Sequence, residues 1–298
     1  PKLRQQWFVS PSVEMTRVLI IKPSSLGDII HGLQAVTCIK AAHPAWHVTW
    51  VVREIFAPLV EAAECVDETI IFQRKQGLAG ILGVMRNLRQ RHFDLVLDLQ
   101  GLLRSGLMAW SANAPRKIGR HNAREGSSLF YTEKTAPITG GNRKHALDEL
   151  LQFARLLGTH SETLPPIRFK TKTNIPELVA FVSDPPPIIL FPESRRREKM
   201  WPYFAELTEL LLTSHPSLTL IWAGSDPSPF APTPPQPDRF LNLSGKLPLE
   251  QLPALLSHAS LVIANDSGPM HLAAAMAKPT LAIFGPTDPS LYGPYPPE

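Results

Sequence analysis

Cysteine is scarce: Cys38 and Cys65 are the only two in 298 residues. Neither a disulfide framework nor a metal-ligand spacing is visible, and that usage fits a reducing compartment. No apolar run approaches the roughly 20 residues that a bilayer span needs. The first fourteen residues, PKLRQQWFVSPSVE, lack the apolar core of a secretion signal and read as an extension ahead of Met15. Aromatic residues make up 8% of the chain and do not interleave with a basic patch, which excludes a nucleic-acid reader. What is present is a hydrophobic content of 44% against 19% charged residues, the balance of a soluble globular protein with an ample core. The net charge of +4 leans toward anionic partners without selecting one.

Short apolar runs alternate with longer helical patterns. Strands are expected at 17–21, 47–52 and 94–99, and helices at 29–41, 78–91 and from about Leu102. The rhythm restarts after Pro185-Pro186-Pro187, with strands at 188–191, 218–223, 261–264 and 280–284 and helices at 201–213 and 267–277. Continuous apolar strands separated by helices predict parallel sheets covered on both faces. The fold class is therefore α/β, with two Rossmann-like domains facing a central cleft. The expected boundaries are an extension at 1–14, one domain at 15–170, a linker at 171–187 and a second domain at 188–298. Ligands in such sheets bind beyond the carboxyl ends of the strands. One segment breaks the rhythm: SDPSPFAPTPPQPD, 225–238, carries six prolines and reads as a stiff loop.

The stretch Asn265-Asp266-Ser267-Gly268 ends a strand, turns and opens a helix. Free first-turn N–H groups there suit a phosphate, Ser267 adds a hydroxyl, and His271 lies one turn on. Asp266 would repel a phosphate, so it must cap, hold backbone amides or grip a sugar hydroxyl. A plain helix cap at Asp266 or Ser267 is the competing reading. Asp28, in Ser24-Ser25-Leu26-Gly27-Asp28, occupies the same place in the first half. It is either a general base aimed into the cleft or a first-turn acid favoured by the helix dipole. In ESRRREKMWP, 193–202, Ser194 and Lys199 are the candidates for a diphosphate, and Glu193 opposes one unless it turns outward. Arg74 with Lys75, Arg104, Arg124 and His145 are candidates for a cationic acceptor surface.

Six segments carry a resemblance: RVLIIKPSSLGDIIHGLQAV, FDLVLDLQGLLRSG, AREGSSLFY, KHALDELLQFARLLG, KMWP and NDSGPMHLAAAMAKPTLAIFGPTDP. In this order they resemble the lipopolysaccharide heptosyltransferases of glycosyltransferase family nine, its heptosyltransferase I branch most. The resemblance implies a GT-B fold with an acceptor-binding first domain and a donor-binding second one. It implies inverting, metal-independent transfer from ADP-L-glycero-β-D-manno-heptose to the Kdo region of lipid A–Kdo, with no cofactor. The implied place of work is cytoplasmic, peripheral at the inner face of the inner membrane. By position in the matching motifs, Asp28 is the implied base and Lys199 meets the donor phosphates. Ser194 falls near the phosphate, and Asp266, Ser267, Gly268 and His271 line the donor site. Arg124 and His145 match cationic positions linked to the acidic acceptor. Two departures stand out. The proline-rich loop replaces a usual helix, leaving Asp226 as the candidate for the ribose contact, and the family pattern usually continues beyond Glu298. A family-nine transferase with another donor or acceptor, a non-catalytic nucleotide-sugar binder and a sugar-nucleotide epimerase are the competing functions.

Overall fold

The computed structural model describes residues 15–138, 145–159, 163–170, 175–179, 181, 185–227, 231–232 and 237–295. The extension at 1–14, parts of the expected linker (171–174, 180 and 182–184) and parts of the proline-rich loop (228–230 and 233–236) lie outside the described residues.

Runs that are apolar on both faces need a helical layer on each side, which helical crossovers between parallel strands supply. The first sheet holds β1 (Arg17–Ile21), β2 (His47–Arg53), β3 (Glu68–Phe72), β4 (Leu95–Asp98), β5 (Arg116–Gly119) and β6 (Glu133–Lys134). Its order is β3-β2-β1-β4-β5-β6, and every pairing is parallel. Its crossovers and caps are α1 (Leu26–Ala42), α2 (Ala57–Ala62), α3 (Leu78–Arg89), α4 (Leu103–Ser111) and α5 (Ala146–Leu156), followed by the short α6 (Pro176–Val179). Alternation along β1 divides the core. Val18 and Ile20 pack with Ile29 and Leu33 of α1, while Leu19 and Ile21 pack with Val84 and Leu88 of α3 and Met108 of α4.

The second sheet repeats the plan with β7 (Ile188–Phe191), β8 (Leu220–Trp222), β9 (Phe240–Asn242), β10 (Leu261–Asn265) and β11 (Thr280–Ile283) in the order β11-β10-β7-β8-β9. These pairings are parallel as well. Its helices are α7 (Phe204–Ser214), α8 (Leu252–Ser257), α9 (Gly268–Ala275) and α10 (Pro289–Tyr292). Both sheets therefore reverse strand order once, between β1 and β4 and between β7 and β10. Loops diverge at such a point and leave a crevice for ligand. α1 packs across the gap on α9, so one apolar cluster runs from the first sheet into the second.

Several elements differ from their sequence expectation. α1 begins at Leu26, three residues early, because Ser25 caps it and Asp28 enters its first turn. The helix expected at 201 begins at Phe204, since a 3-10 turn (Arg197–Lys199) and Trp201-Pro202 occupy the approach. The edge and outer strands β3, β5, β6 and β9 were not expected; each has only two to five residues.

Candidate active site

Four loops meet where the two crevices face each other. The first, after β1, is organised by Asp28. One carboxylate oxygen, Oδ2, accepts the Ser25 hydroxyl at 2.7 Å and the Ser25 N–H at 3.1 Å, and Oδ1 accepts Lys22 Nζ at 3.2 Å. Lys22 is buried, whereas Asp28 keeps 49% of its side chain accessible. Burial lowers the Lys22 pKa, and the Asp28 charge only partly offsets it. Burial pushes Asp28 the other way, upward, but Lys22 and the two Ser25 bonds outweigh it and hold the carboxyl below its ordinary value. Asp28 is thus a first-turn helix acid and an ionised carboxylate with half of its side chain exposed.

The second loop follows β4. Asp98 is fully buried and accepts the N–H groups of Gln100 at 2.9 Å and Gly101 at 3.1 Å, plus the Tyr131 hydroxyl at 2.7 Å. Burial raises its pKa. Gly101 sits at φ +69°, and the Arg120 side chain lies over it. Arg120 shares an electrostatic neighbourhood with Glu149, Asp28, Arg124 and Asp98. Asp98 therefore shapes a turn, and Arg120, absent from the sequence candidates, stands near the proposed base.

The third and fourth loops follow β7 and β10. Asn265, fully buried, accepts the Trp201 N–H at 3.0 Å and donates to the Pro192 carbonyl at 2.6 Å, which ties the two loops together. Lys199 Nζ reaches Asp266 Oδ2 at 2.5 Å, and the Thr287 hydroxyl donates to the same oxygen at 2.6 Å. Asp266 is only 6% exposed and Lys199 16%. Asp266 is thus an internal counter-ion that fixes Lys199, a contact that none of the three expected roles names. Ser194 donates its hydroxyl to the Asp266 carbonyl at 3.0 Å. Glu193 lines the cleft and accepts the N–H groups of Ser225 at 3.0 Å and Asp226 at 3.4 Å, which ties its carboxylate to the loop after β8.

Ser267 caps α9 in extended conformation, and its hydroxyl oxygen is buried without a hydrogen-bond partner among the described residues. Pro269, second in the helix, carries no N–H, which leaves fewer first-turn donors than a generic helix mouth. A Cβ on Gly268 would stand 2.4 Å from Leu26 Cδ2, so only glycine lets this turn approach α1 so closely. His271 Nδ1 lies 3.3 Å from His31 Nε2 of α1. Burial lowers His31 well below its ordinary value and takes His271 down to about 4, with the neighbouring histidines adding to the shift. His271 is thus neutral near pH 7 and adds no cationic charge beside Lys199.

A cleft of about 1070 Å³ opens here, and Ser194, Lys199, Asp266, Ser267, Gly268 and His271 all line it. Gly27, Arg53, Arg195 and Arg196 line it too, while Asp28 begins one residue beyond Gly27. The acceptor candidates lie elsewhere. Arg74 and Arg124 are exposed, and the Arg104 guanidinium sits 5.9 Å from the Phe72 ring. His145 is buried, Nδ1 accepting the Leu147 N–H at 3.1 Å and Nε2 meeting the Gly293 carbonyl at 2.9 Å. It caps α5 and faces no surface, so it does not belong to an exposed cationic patch. Among the described residues, no group of three or more His, Cys, Asp or Glu is placed to hold a metal ion.

The family model for glycosyltransferase family 9 (heptosyltransferase) matches residues 81–298. Lipopolysaccharide heptosyltransferase 1 of Escherichia coli strain K12 is 30% identical over 301 residues, spanning 94% of this chain and 91% of that protein. The solved E. coli heptosyltransferase WaaC with ADP is similar at a TM-score of 0.73 and 26% identity, over 94% of this chain and 91% of that one. WaaC solved with ADP-2-deoxy-2-fluoro heptose is similar at a TM-score of 0.70 and 26% identity, over 92% and 90%.

Proposed function

We propose that this chain, which belongs to glycosyltransferase family 9, transfers L-glycero-D-manno-heptose from ADP-heptose to the Kdo region of Kdo–lipid A. The transfer is a single inverting displacement that needs no metal. Its place is the cytoplasmic face of the inner membrane, where the protein is peripheral; among the described residues no helix is long and apolar enough to cross a membrane.

The observation that carries this reading is the division of labour across the cleft. Asp28 stands at the end of the first sheet, ionised and half-exposed, while Lys199, Ser267 and the mouth of α9 stand at the end of the second. As the acceptor hydroxyl attacks the anomeric carbon, its proton passes to Asp28. The bond from that carbon to the phosphate oxygen breaks, and ADP leaves with the electron pair. Charge growing on the diphosphate meets Lys199, the unused Ser267 hydroxyl and the N–H groups of Gly268 and Met270. Arg195 and Arg196 line the same cleft and add to the field. Arg74, Arg104 and Arg124 are the cations left to meet an acidic acceptor. The two WaaC structures, solved with ADP and with a fluorinated ADP-heptose, support the donor choice.

The test is transfer from ADP-heptose to Kdo–lipid A by the parent and by Asp28→Ala, with ADP binding measured for both. Transfer by the parent, lost in a variant that still binds ADP, is the expected result. ADP binding without transfer by the parent would move the reading to another donor sugar or acceptor within the family. No ADP binding would overturn the donor assignment itself.

A further inference from the structure

The 3-10 turn at Arg74–Gln76, α3 and α4 together carry Arg74, Lys75, Arg86, Arg89 and Arg104 and not one Asp or Glu. Both helices cover the same face of the first sheet and lie against each other. Their inner stripes, Val84 and Leu88 on α3 and Met108 and Ala109 on α4, fill the core. Their outer stripes are apolar as well. Leu78 is 78% exposed, Leu82 57% and Trp110 53%, with Leu103 exposed at the head of α4 and Leu129 beside it. The Arg89 guanidinium lies 5.6 Å from the Trp110 ring and joins the two stripes into one surface. The acids bonded at its border are Glu54 and Glu125, whose carboxylates accept the backbone N–H groups of Arg74 and Leu103.

We propose that this face docks the protein on a bilayer carrying anionic headgroups, with Leu78, Leu82, Leu103 and Trp110 entering the interface and the five cations meeting the lipid charge. Single exposed leucines are ordinary on a protein surface, and so are single arginines. Four large apolar side chains interleaved with cations, on two adjacent helices free of acids, form a contiguous patch of the kind that marks an interaction surface. Charge decides what covers it. A second copy of the chain packing this face on itself would set five cations against five, which like-charge repulsion opposes. An anionic lipid surface supplies both a counter-charge and an apolar layer for the leucines.

The position suits the chemistry. Arg74, Leu78 and Leu103 follow the carboxyl ends of β3 and β4, the same sheet edge at which Lys22 to Asp28 follow β1. Docking there holds that edge, with its acceptor cations, against the membrane in which a lipid-linked acceptor sits. The inference rests on the reading of a lipid-linked acceptor for its purpose, but its test uses no sugar.

Sedimentation with vesicles separates the two questions. The parent is expected to bind phosphatidylglycerol–phosphatidylcholine vesicles, more weakly as salt rises, and to leave pure phosphatidylcholine vesicles largely unbound. Arg86→Gln with Arg89→Gln should weaken binding about thirtyfold, taking each cation as worth about 1 kcal/mol near such a surface. Leu78→Glu with Leu82→Glu should abolish it, while Leu210→Glu, equally exposed but on α7, should not change it. Unchanged ADP affinity shows that each variant is folded. No binding by the parent, or equal binding by the Leu78/Leu82 variant, overturns the proposal. So does equal affinity for both vesicle types, or a parent dimer that the leucine variant turns into a monomer. Vesicle binding without heptosyl transfer leaves the docking face standing and removes the acceptor reading; transfer without vesicle binding does the reverse.

Discussion

Removing Lys199 should destabilise the protein more than removing its partner, and removing both should hurt less than removing Lys199 alone. The two ends of the ion pair differ in depth: Asp266 is 6% exposed and Lys199 is 16%. In Lys199→Met the Asp266 carboxylate stays buried with only the Thr287 hydroxyl on that oxygen, and stranding a buried charge costs about 3 kcal/mol. In Asp266→Asn the ammonium can swing into cleft water, so the loss should be about 1 kcal/mol. The double variant strands no charge and should recover about 2 kcal/mol relative to Lys199→Met. Urea unfolding followed by tryptophan fluorescence reads these differences. Calorimetric titration with ADP reads the other half. Lys199→Met should bind ADP about tenfold to a hundredfold more weakly, the worth of one hydrogen bond to a charged group. Asp266→Asn should bind ADP at least as well as the parent, because it releases Lys199 from its counter-ion. Additive stability losses would show that the pair is not coupled. Loss of ADP binding in Asp266→Asn would show that Asp266 grips the ligand itself.

Three further outcomes follow from the same geometry. His271, with a folded pKa of about 4, stays neutral where the unfolded chain takes up a proton below about pH 6.5, so stability falls with pH. From His271 alone the loss between pH 7.5 and 5 is about 2 kcal/mol, with His31 acting in the same direction and Asp28 titrating below that window; urea midpoints that do not move would refute it, and His271→Gln should flatten the slope. Gly268→Ala drives a methyl into Leu26 and should lower stability by about 1–3 kcal/mol while weakening ADP binding, both readable in one thermal-shift series with and without ADP. Glu193→Ala frees the Ser225 and Asp226 N–H groups and should raise the donor KM several-fold with kcat little changed, since Glu193 holds the rim of the cleft and not its reacting end.

Local pattern was enough to place β1, β2, β4, β7, β8, β10 and β11, because each is an apolar run set off by turn residues. It also marked the loops around Asp28 and Ser267, since a strand that turns sharply into a helix shows itself within ten residues. The missed strands β3, β5, β6 and β9 lie at or toward sheet edges, where fewer buried positions leave a weaker pattern. Pairings between distant residues left no local trace. Lys199 and Asp266 are 67 positions apart, and His31 and His271 are 240 apart. A basic residue beside a proposed phosphate site looks available in sequence, and only the fold reveals that it is already paired. His145 is a similar case: the resemblance implies a cationic position, but the fold buries the ring at the head of α5. The α3–α4 face has no signature in the sequence because neither helix alone is a strongly basic amphipathic segment. The absence of acids becomes meaningful only when the two lie side by side.

The two halves use one topology twice, yet in the proposed reaction they divide unlike tasks, and the electrostatics give a reason for that division. A base works if it is ionised and able to accept a proton; Lys22 at 3.2 Å already holds the Asp28 carboxyl below its ordinary value, so the proposed base gains nothing from further positive charge. The leaving diphosphate needs that charge close by. A single loop holding both Asp28 and Lys199 would add a second ammonium to the one Asp28 already has and weaken it further as a base. Placing them on separate sheets lets Lys22 tune Asp28 while Asp266 fixes Lys199. The cost is that the reaction depends on the two sheets meeting correctly. Leu26 against Gly268 and His31 against His271 make that meeting at the heads of α1 and α9, within three residues of Asp28 on one side and of Ser267 and His271 itself on the other. One of the contacts that join the two sheets is therefore built into the loops to which the proposed reaction assigns its chemistry.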